Sequence, residues 1–275
     1  MLSTRGMFGV QIDVKGAFAD LHSGSYGGSF LNPIVAITRL VASLHDPITN
    51  KITIDKFYDG VEELTESERD ELEVVDDEAE AKMLGLKKMV GEVGYSTMER
   101  KTVRPTAELV GIWGGFSGEG IKTVLPSEAH AKIAFRLVAG QDPDEVYYNL
   151  NKHLEEASLT LAEGLHVSLQ KLNNGARAYK SRTDSVGCKL VLDELRKLYG
   201  IAPQLRREGG SINAMAYFHE ILGLETYSFG FGEPDGYIHA PDERVRLSNL
   251  HRGQRGYLSI IMEAAEIFGK PKDEL

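Results

Sequence analysis

Three short segments put polar side chains where chemistry is usually done, on loops and at element ends. "DLHSG", Asp20–Gly24, sets His22 between an acid and a glycine-rich turn. "RREGGSI", Arg206–Ile212, places Ser211 behind two glycines. "DGYIHAPDER", Asp235–Arg244, holds His239 among Asp235, Asp242 and Glu243. A histidine of this kind can move a proton or ligate a metal, and nearby acids can orient a metal ligand. The glycines before Ser211 would let a backbone come close to a ligand. The hydroxyl of Ser211, and the N-terminus of the helix it opens, would then face an anion. Each segment also has a plain structural reading. Ser211 can be a helix cap, Arg136 a solvent-facing strand residue, and either histidine a hydrogen-bonded surface group. His45, His130, His153, His166, His219 and His251 lie in helical or strand patterns and read as structural. Trp113 and the pair Tyr147 and Tyr148 read as packing.

Several other chemistries find no support. No serine has glycines at nucleophile-elbow spacing. Gly230, Gly232 and Gly236 miss a dinucleotide-binding fingerprint by one residue, and there is no phosphate-cradling loop ending in Gly-Lys-Ser/Thr. Cys188 is the only cysteine, which excludes disulfides and cysteine-based zinc sites.

The elements that must position these groups follow from periodicity. Met7–Val14 alternates as a strand, and Ile34, Ile37, Leu40, Val41 and Leu44 recur at helical spacing behind Asn32 as cap and Pro33. Thr65 with Glu68 forms a capping-box signature. Glu108–Trp113 reads as a strand and Gly114–Gly120 as a loop. Ala129–Val138 alternates cleanly, with Ala131, Ile133, Phe135 and Leu137 on one face. A helix from Pro143 to about Ala157 and a strand at Leu165–Leu169 complete the set. The order strand, helix, insertion, strand, strand, helix, strand suits an α+β ferredoxin-like (βαββαβ) domain over 1–172, with an insertion at about 45–105. Beyond "KLNNGARAYKSRTD", Lys171–Asp184, helices at Ser185–Leu198, from Ser211, and at Leu247–Phe268 alternate with a strand at Glu225–Phe229. Residues 173–275 therefore read as part of an α/β sheet, too short for a complete one.

Composition bounds the function. The chain has 275 residues, 42% apolar and 26% charged, with a net charge of −10. Twelve acids against two bases between Asp59 and Lys82 account for that whole imbalance, which we read as a solvated helical face or a surface insertion. No basic patch with interleaved aromatics supports nucleic-acid binding. No run of about 18 apolar residues predicts a spanning helix, and the N-terminus lacks a signal-peptide pattern. A reducing cytoplasm is the default for this cysteine usage. The final Lys272–Leu275, KDEL, spells a retention signal that cannot act without a signal peptide, and we read it as chance.

"DLHSGSYGG", "GFSGEGIKTVLPSEAHAKIAFRLVAGQDP", "REGGSI" and "IHAPDE", in that order and spacing, resemble the M20 metallopeptidases. The branch is that of cytosolic nonspecific dipeptidase and carnosinase, and "FYDGVEELTESER" in the insertion carries the likeness further. The resemblance implies a catalytic α/β domain holding two zinc or manganese ions, and an inserted ferredoxin-like lid that makes a homodimer. It implies that His22 reaches the partner's site and helps polarise the scissile carbonyl, and that Thr123 contacts substrate. Arg136 would hold the substrate carboxylate, Gly210 and Ser211 would line it, and His239 would ligate metal. The family's first half, with its remaining metal ligands and general-base glutamate, has no counterpart in these residues. The expectation is therefore a lid plus the end of a catalytic domain, inactive alone, whose residues 173–275 expose apolar surface. Asn213 stands where the family commonly has proline. Two rival readings are a non-catalytic dimerisation or ligand-binding module, and an N-acyl-amino-acid amidohydrolase of the same fold; the insertion favours dipeptides.

Overall fold

The computed structural model describes residues 1, 3–233 and 235–269. The KDEL run lies outside them. The elements begin with β1 (Ser3–Thr4), β2 (Gly6–Lys15), β3 (Leu21–His22), α1 (Ser23–Tyr26) and α2 (Pro33–Ala42). Three short helices follow: α3 (Glu66–Asp70), α4 (Asp77–Met83) and α5 (Thr97–Thr102). Next come β4 (Thr106–Gly114), β5 (Val124–Leu125), β6 (Glu128–Leu137), α6 (Pro143–Leu161), β7 (His166–Lys171) and β8 (Tyr179–Lys180). The chain closes with α7 (Val186–Tyr199), β9 (Arg207–Glu208), α8 (Asn213–Leu222) and α9 (Leu247–Phe268). Two compact units form, Thr4–Tyr179 with Glu208–Ala216, and Met1–Ser3 with Lys180–Arg207 and Tyr217–Leu275. The segment Glu208–Ala216 thus belongs to the same unit as Thr4–Tyr179.

In the first unit an antiparallel sheet has the order β4-β6-β2-β7. The alternation read from Ala129–Val138 is realised: Ala131, Ile133, Phe135 and Leu137 are buried, while Lys132 and Arg136 lie on the other face. Phe8 of β2 stacks on Phe135 at 4.7 Å. Helices α2 and α6 pack together over this face. Their starts are locally encoded. The Asn32 side chain accepts from the Ile34 N–H at 2.8 Å, Asp142 accepts from Asp144 N–H at 2.7 Å, and Pro33 and Pro143 occupy the first turn.

The acidic stretch 59–82 is a largely exposed surface insertion that carries α3 and α4. Thr65 and Glu68 make their capping box, but α3 lasts five residues. The insertion is held by Arg104, 5% exposed, which donates to Glu92 at 2.9 and 2.8 Å and to Glu63 at 2.9 Å. Its guanidinium stacks 3.9 Å from the centroid of Tyr95.

In the second unit α7 packs on α9. Ser185 caps α7 by accepting from Cys188 N–H at 3.1 Å, and Gly200 ends it at φ 72°, a conformation suited to glycine. Glu225–Phe229, expected as a strand, carries no ladder. A strand needs a neighbour to pair with. Here Ser181 and Tyr257 donate to the Thr226 and Phe229 carbonyls, at 3.2 and 2.7 Å. Apolar side chains on α8 and α9 stay open to solvent, among them Ile221, Leu258, Ile261 and Phe268. No described helix is long and apolar enough to cross a membrane.

Candidate functional site

Arg136 and Ser211, 75 residues apart in sequence, meet in the first unit. Strand β6 carries Arg136 on the sheet face away from the helices, where it is half-buried. Its Nη1 donates to Ser211 Oγ at 2.7 Å, and Ser211 Oγ donates to the Gly6 carbonyl at 3.1 Å. The serine proton is thus committed to a carbonyl, which is the arrangement of a positioning group and not of a nucleophile. Ser211 does not cap α8, which starts two residues later at Asn213. The buried Oδ1 of Asn213 has no hydrogen-bond partner among the described residues.

The glycine pair has separate duties. A Cβ on Gly209 would stand 2.1 Å from the Lys101 carbonyl oxygen, so that backbone approach admits only glycine. A Cβ on Gly210 would meet the Glu208 side chain at 3.8 Å, an ordinary contact without a clash. Arg5 ties the loop down. Its backbone N–H donates to Gly210 O at 3.1 Å and its Nε to Gly209 O at 2.7 Å. Burial, and then the charge of Arg136, pull the Arg5 pKa down to about 10, against Glu108 and Glu208. Sequence reading overlooked Arg5, since 204 residues separate it from the loop and no local pattern links them.

His22 and Thr123 form a second pair, on a ribbon of β3 and β5. His22 stands opposite Val124, and Ser23 N–H donates to Thr123 O at 2.9 Å. His22 caps α1: its Nδ1 accepts from Ser25 N–H at 3.2 Å. An accepting Nδ1 places the proton of a neutral imidazole on Nε2, leaving that edge as an N–H donor. The ring lies over Gly24, whose Cβ would fall 2.6 Å from His22 Cε1. Asp20 does not partner the histidine. Its carboxylate accepts from Ser127 N–H at 2.9 Å and pins the ribbon to the start of β6. Along β6, Glu128 and Arg136 are eight residues apart, about 26 Å, so the two pairs attach to opposite ends of that strand.

His239 belongs to the second unit and is exposed, with φ 61°. Tyr237 and Asp242 share this left-handed conformation, at 55° and 63°. Asp235, expected to support His239, is engaged by Arg244 at 3.3 Å and Arg246 at 3.7 Å. Among the described residues no three His, Cys, Asp or Glu side chains gather to hold a metal ion. His239 alone does not fit a dinuclear centre.

One further pair escaped the sequence reading. His130 Nδ1 stands 2.5 Å from Asp13 Oδ1, and Trp113 stacks on the His130 ring at 5.0 Å. They sit opposite one another across β2, β6 and β4. Alternation alone could have placed them on one face but not in register.

A family model described as the peptidase dimerisation domain matches residues 2–161. The Cys-Gly metallodipeptidase of Schizosaccharomyces pombe is 28% identical over 269 residues, covering 96% of this chain and 55% of the relative. The solved structure of the dipeptidase Dug1p from Saccharomyces cerevisiae superposes with a TM-score of 0.82 at 24% identity, over 97% of this chain and 56% of that one. The M20 metallo-carboxypeptidase Sso-CP2 from Sulfolobus solfataricus gives 0.80 at 28% identity, over 94% and 58%. The chain spans about half the length of the curated relatives it matches.

Proposed function

The chain belongs to the M20 peptidase dimerisation-domain family, and from that premise we propose that it supplies the lid and C-terminal part of a dinuclear-metal dipeptidase. The lid has the strand order of a ferredoxin-like sandwich. The substrate is a short peptide with a free C-terminal carboxylate. The observation that carries this reading is the contact between Arg136 and Ser211 at 2.7 Å. It fixes one edge of a planar guanidinium and leaves further N–H donors for a carboxylate, which such a fork pairs with in two parallel bonds. Gly210, where a Cβ would meet no clash, and Ser211 line the same place.

His22 supplies an N–H donor at Nε2 to the developing oxyanion, and Thr123 contacts substrate beside it. These two attach at the end of β6 remote from Arg136, which favours delivery from a second copy of the chain. Edge strand β4 offers a surface for that copy, since Leu109, Val110, Ile112 and Trp113 are all exposed along it. His239 is one metal ligand. The others, with the general base, come from sequence outside these residues, so this chain alone is inactive. A non-catalytic dimerisation or ligand-binding module is the second reading, favoured by the family model, which is described as a dimerisation domain.

The test is binding and turnover on the 275-residue chain. Cys-Gly is expected to bind and its C-terminal amide to bind at least tenfold more weakly, by NMR titration. Arg136→Met should erase that difference. With zinc or manganese added, no hydrolysis is expected. Equal binding of acid and amide would overturn the carboxylate assignment, and turnover with two ions per chain would overturn the claim of inactivity.

A further inference from the structure

A cavity of about 450 Å³ opens in the first unit beside the start of β4. Arg5, Arg100, Lys101, Arg104 and Arg136 line it, against the carboxylates of Glu92 and Glu108. Two of these cations are already paired with acids. Arg104 is held by Glu92 and Glu63, and Lys101 Nζ lies 2.6 Å from Glu80. The other three donate to uncharged acceptors. Arg5 reaches the carbonyls of Gly209 at 2.7 Å, Arg104 at 3.1 Å and Arg100 at 3.4 Å. Arg100 Nε donates to the Glu92 carbonyl at 3.0 Å, and Arg136 donates to Ser211. Carbonyls and hydroxyls satisfy N–H groups without cancelling charge. Burial first, and then the charge of Arg136, draw the Arg5 pKa down. Such a concentration of positive charge is unexpected in a chain of net charge −10. Glu108 and Glu208 oppose the fall in pKa, and both act on Arg5.

We propose that this cavity is a binding site for a small dianion, a phosphate or a short dicarboxylate, held by the Nη1–Nη2 edge of Arg100 and the remaining Nη2 donor of Arg5, with the charge of Arg136 behind them. Planar guanidinium groups match the paired oxygens of either group. The volume falls within the range of small-molecule sites, about 300–1,000 Å³. Binding would relieve the repulsion that folding has built in. The site goes beyond the peptidase reading: it needs neither metal nor hydrolysis, and shares with it Arg136 and Arg5, which holds the glycine loop.

The probes are inorganic phosphate and malonate, with sodium chloride at matched ionic strength, on the purified chain. Calorimetric titration and thermal unfolding are expected to give saturable binding and a rising Tm with phosphate or malonate, and no saturation with chloride. Phosphate alone would identify phosphoryl recognition, and malonate alone a dicarboxylate. Arg100→Met should weaken binding at least tenfold with an unchanged circular-dichroism spectrum. Arg100→Lys, which keeps the charge and loses the fork, should weaken it about threefold and serves if the first variant fails to fold. Lys152→Met, on the exposed side of α6, should bind as wild type. The proposal is overturned if chloride reproduces the effect, or if both Arg100 variants bind normally. Carboxylate discrimination is scored at Arg136 and dianion binding at Arg100, so either reading can fail without the other.

Discussion

His22 depends on the residue two places after it. Its ring occupies the space where a side chain at position 24 would stand, and its Nδ1 is fixed by the Ser25 N–H. Gly24→Ala is therefore expected to displace the ring and free Nδ1, changing the tautomer balance seen in ¹⁵N NMR of the imidazole, while the helices stay folded. An unchanged spectrum would separate ring placement from Gly24. His153 makes a second prediction at this scale. Burial lowers its pKa, with the charge of Glu156 partly opposing, and its Nε2 meets Ser43 Oγ at 3.0 Å. The folded state then binds the proton less readily than the unfolded chain, which titrates near about 6.5. This contribution to stability is complete above that pH and declines as pH falls below it. Urea midpoints at pH 7.5 and 5 should differ less in His153→Gln than in wild type.

The long elements of the first unit, β2, α2, β4, β6, α6 and β7, were legible because each carries its own signal. Asn32 and Pro33 mark the start of α2, and the buried alternation of β6 leaves one register compatible with the core. Asn32→Ala should cost about 1 kcal/mol, the worth of a cap. Phe135→Ala, which removes a ring stacked on Phe8, should cost about 3–5 kcal/mol. Chemical unfolding of both variants checks this ordering, and a reversal would mean that α2, not the sheet, limits stability. The strand expected at Glu225–Phe229 failed for a physical reason. Alternating apolar residues state a preference for extended backbone, but a ladder also needs a neighbour, and that segment finds its hydrogen bonds in Ser181 and Tyr257 instead. The acidic stretch is tied down by partners that its own sequence does not name, Glu63 to Arg104, Arg69 to Glu99 and Glu80 to Lys101.

Across the whole chain, exposed apolar surface is the feature with consequences. β4 leaves Val110, the residue at its bulge, 63% exposed on a free edge, and α8 and α9 present a further apolar face. Unpaired edges and broad apolar patches seek partners. The chain is expected to associate as concentration rises and to bind a dye that reports apolar surface. Val110→Lys should shift the sedimentation profile toward monomer while much of the dye binding persists, since α8 and α9 are unaltered. A monomer at every concentration with no dye signal would remove the basis for both surfaces.

What the sequence determined by itself was local or periodic: caps, alternation, glycine-rich turns, the order of elements, and the four segments that resemble a peptidase family. Such features act over a few residues and can be read in a window of that size. What only the tertiary structure decided was who meets whom. Arg136 reaches Ser211 because a loop returns to the first unit, and Arg5 holds that loop through Gly209 across 204 residues. Asp20 turned out to serve Ser127 and not His22, and Asp235 to serve Arg244 and not His239. Charges and hydrogen bonds act through space, over a few ångströms, and chain order sets no such distances between residues far apart in sequence.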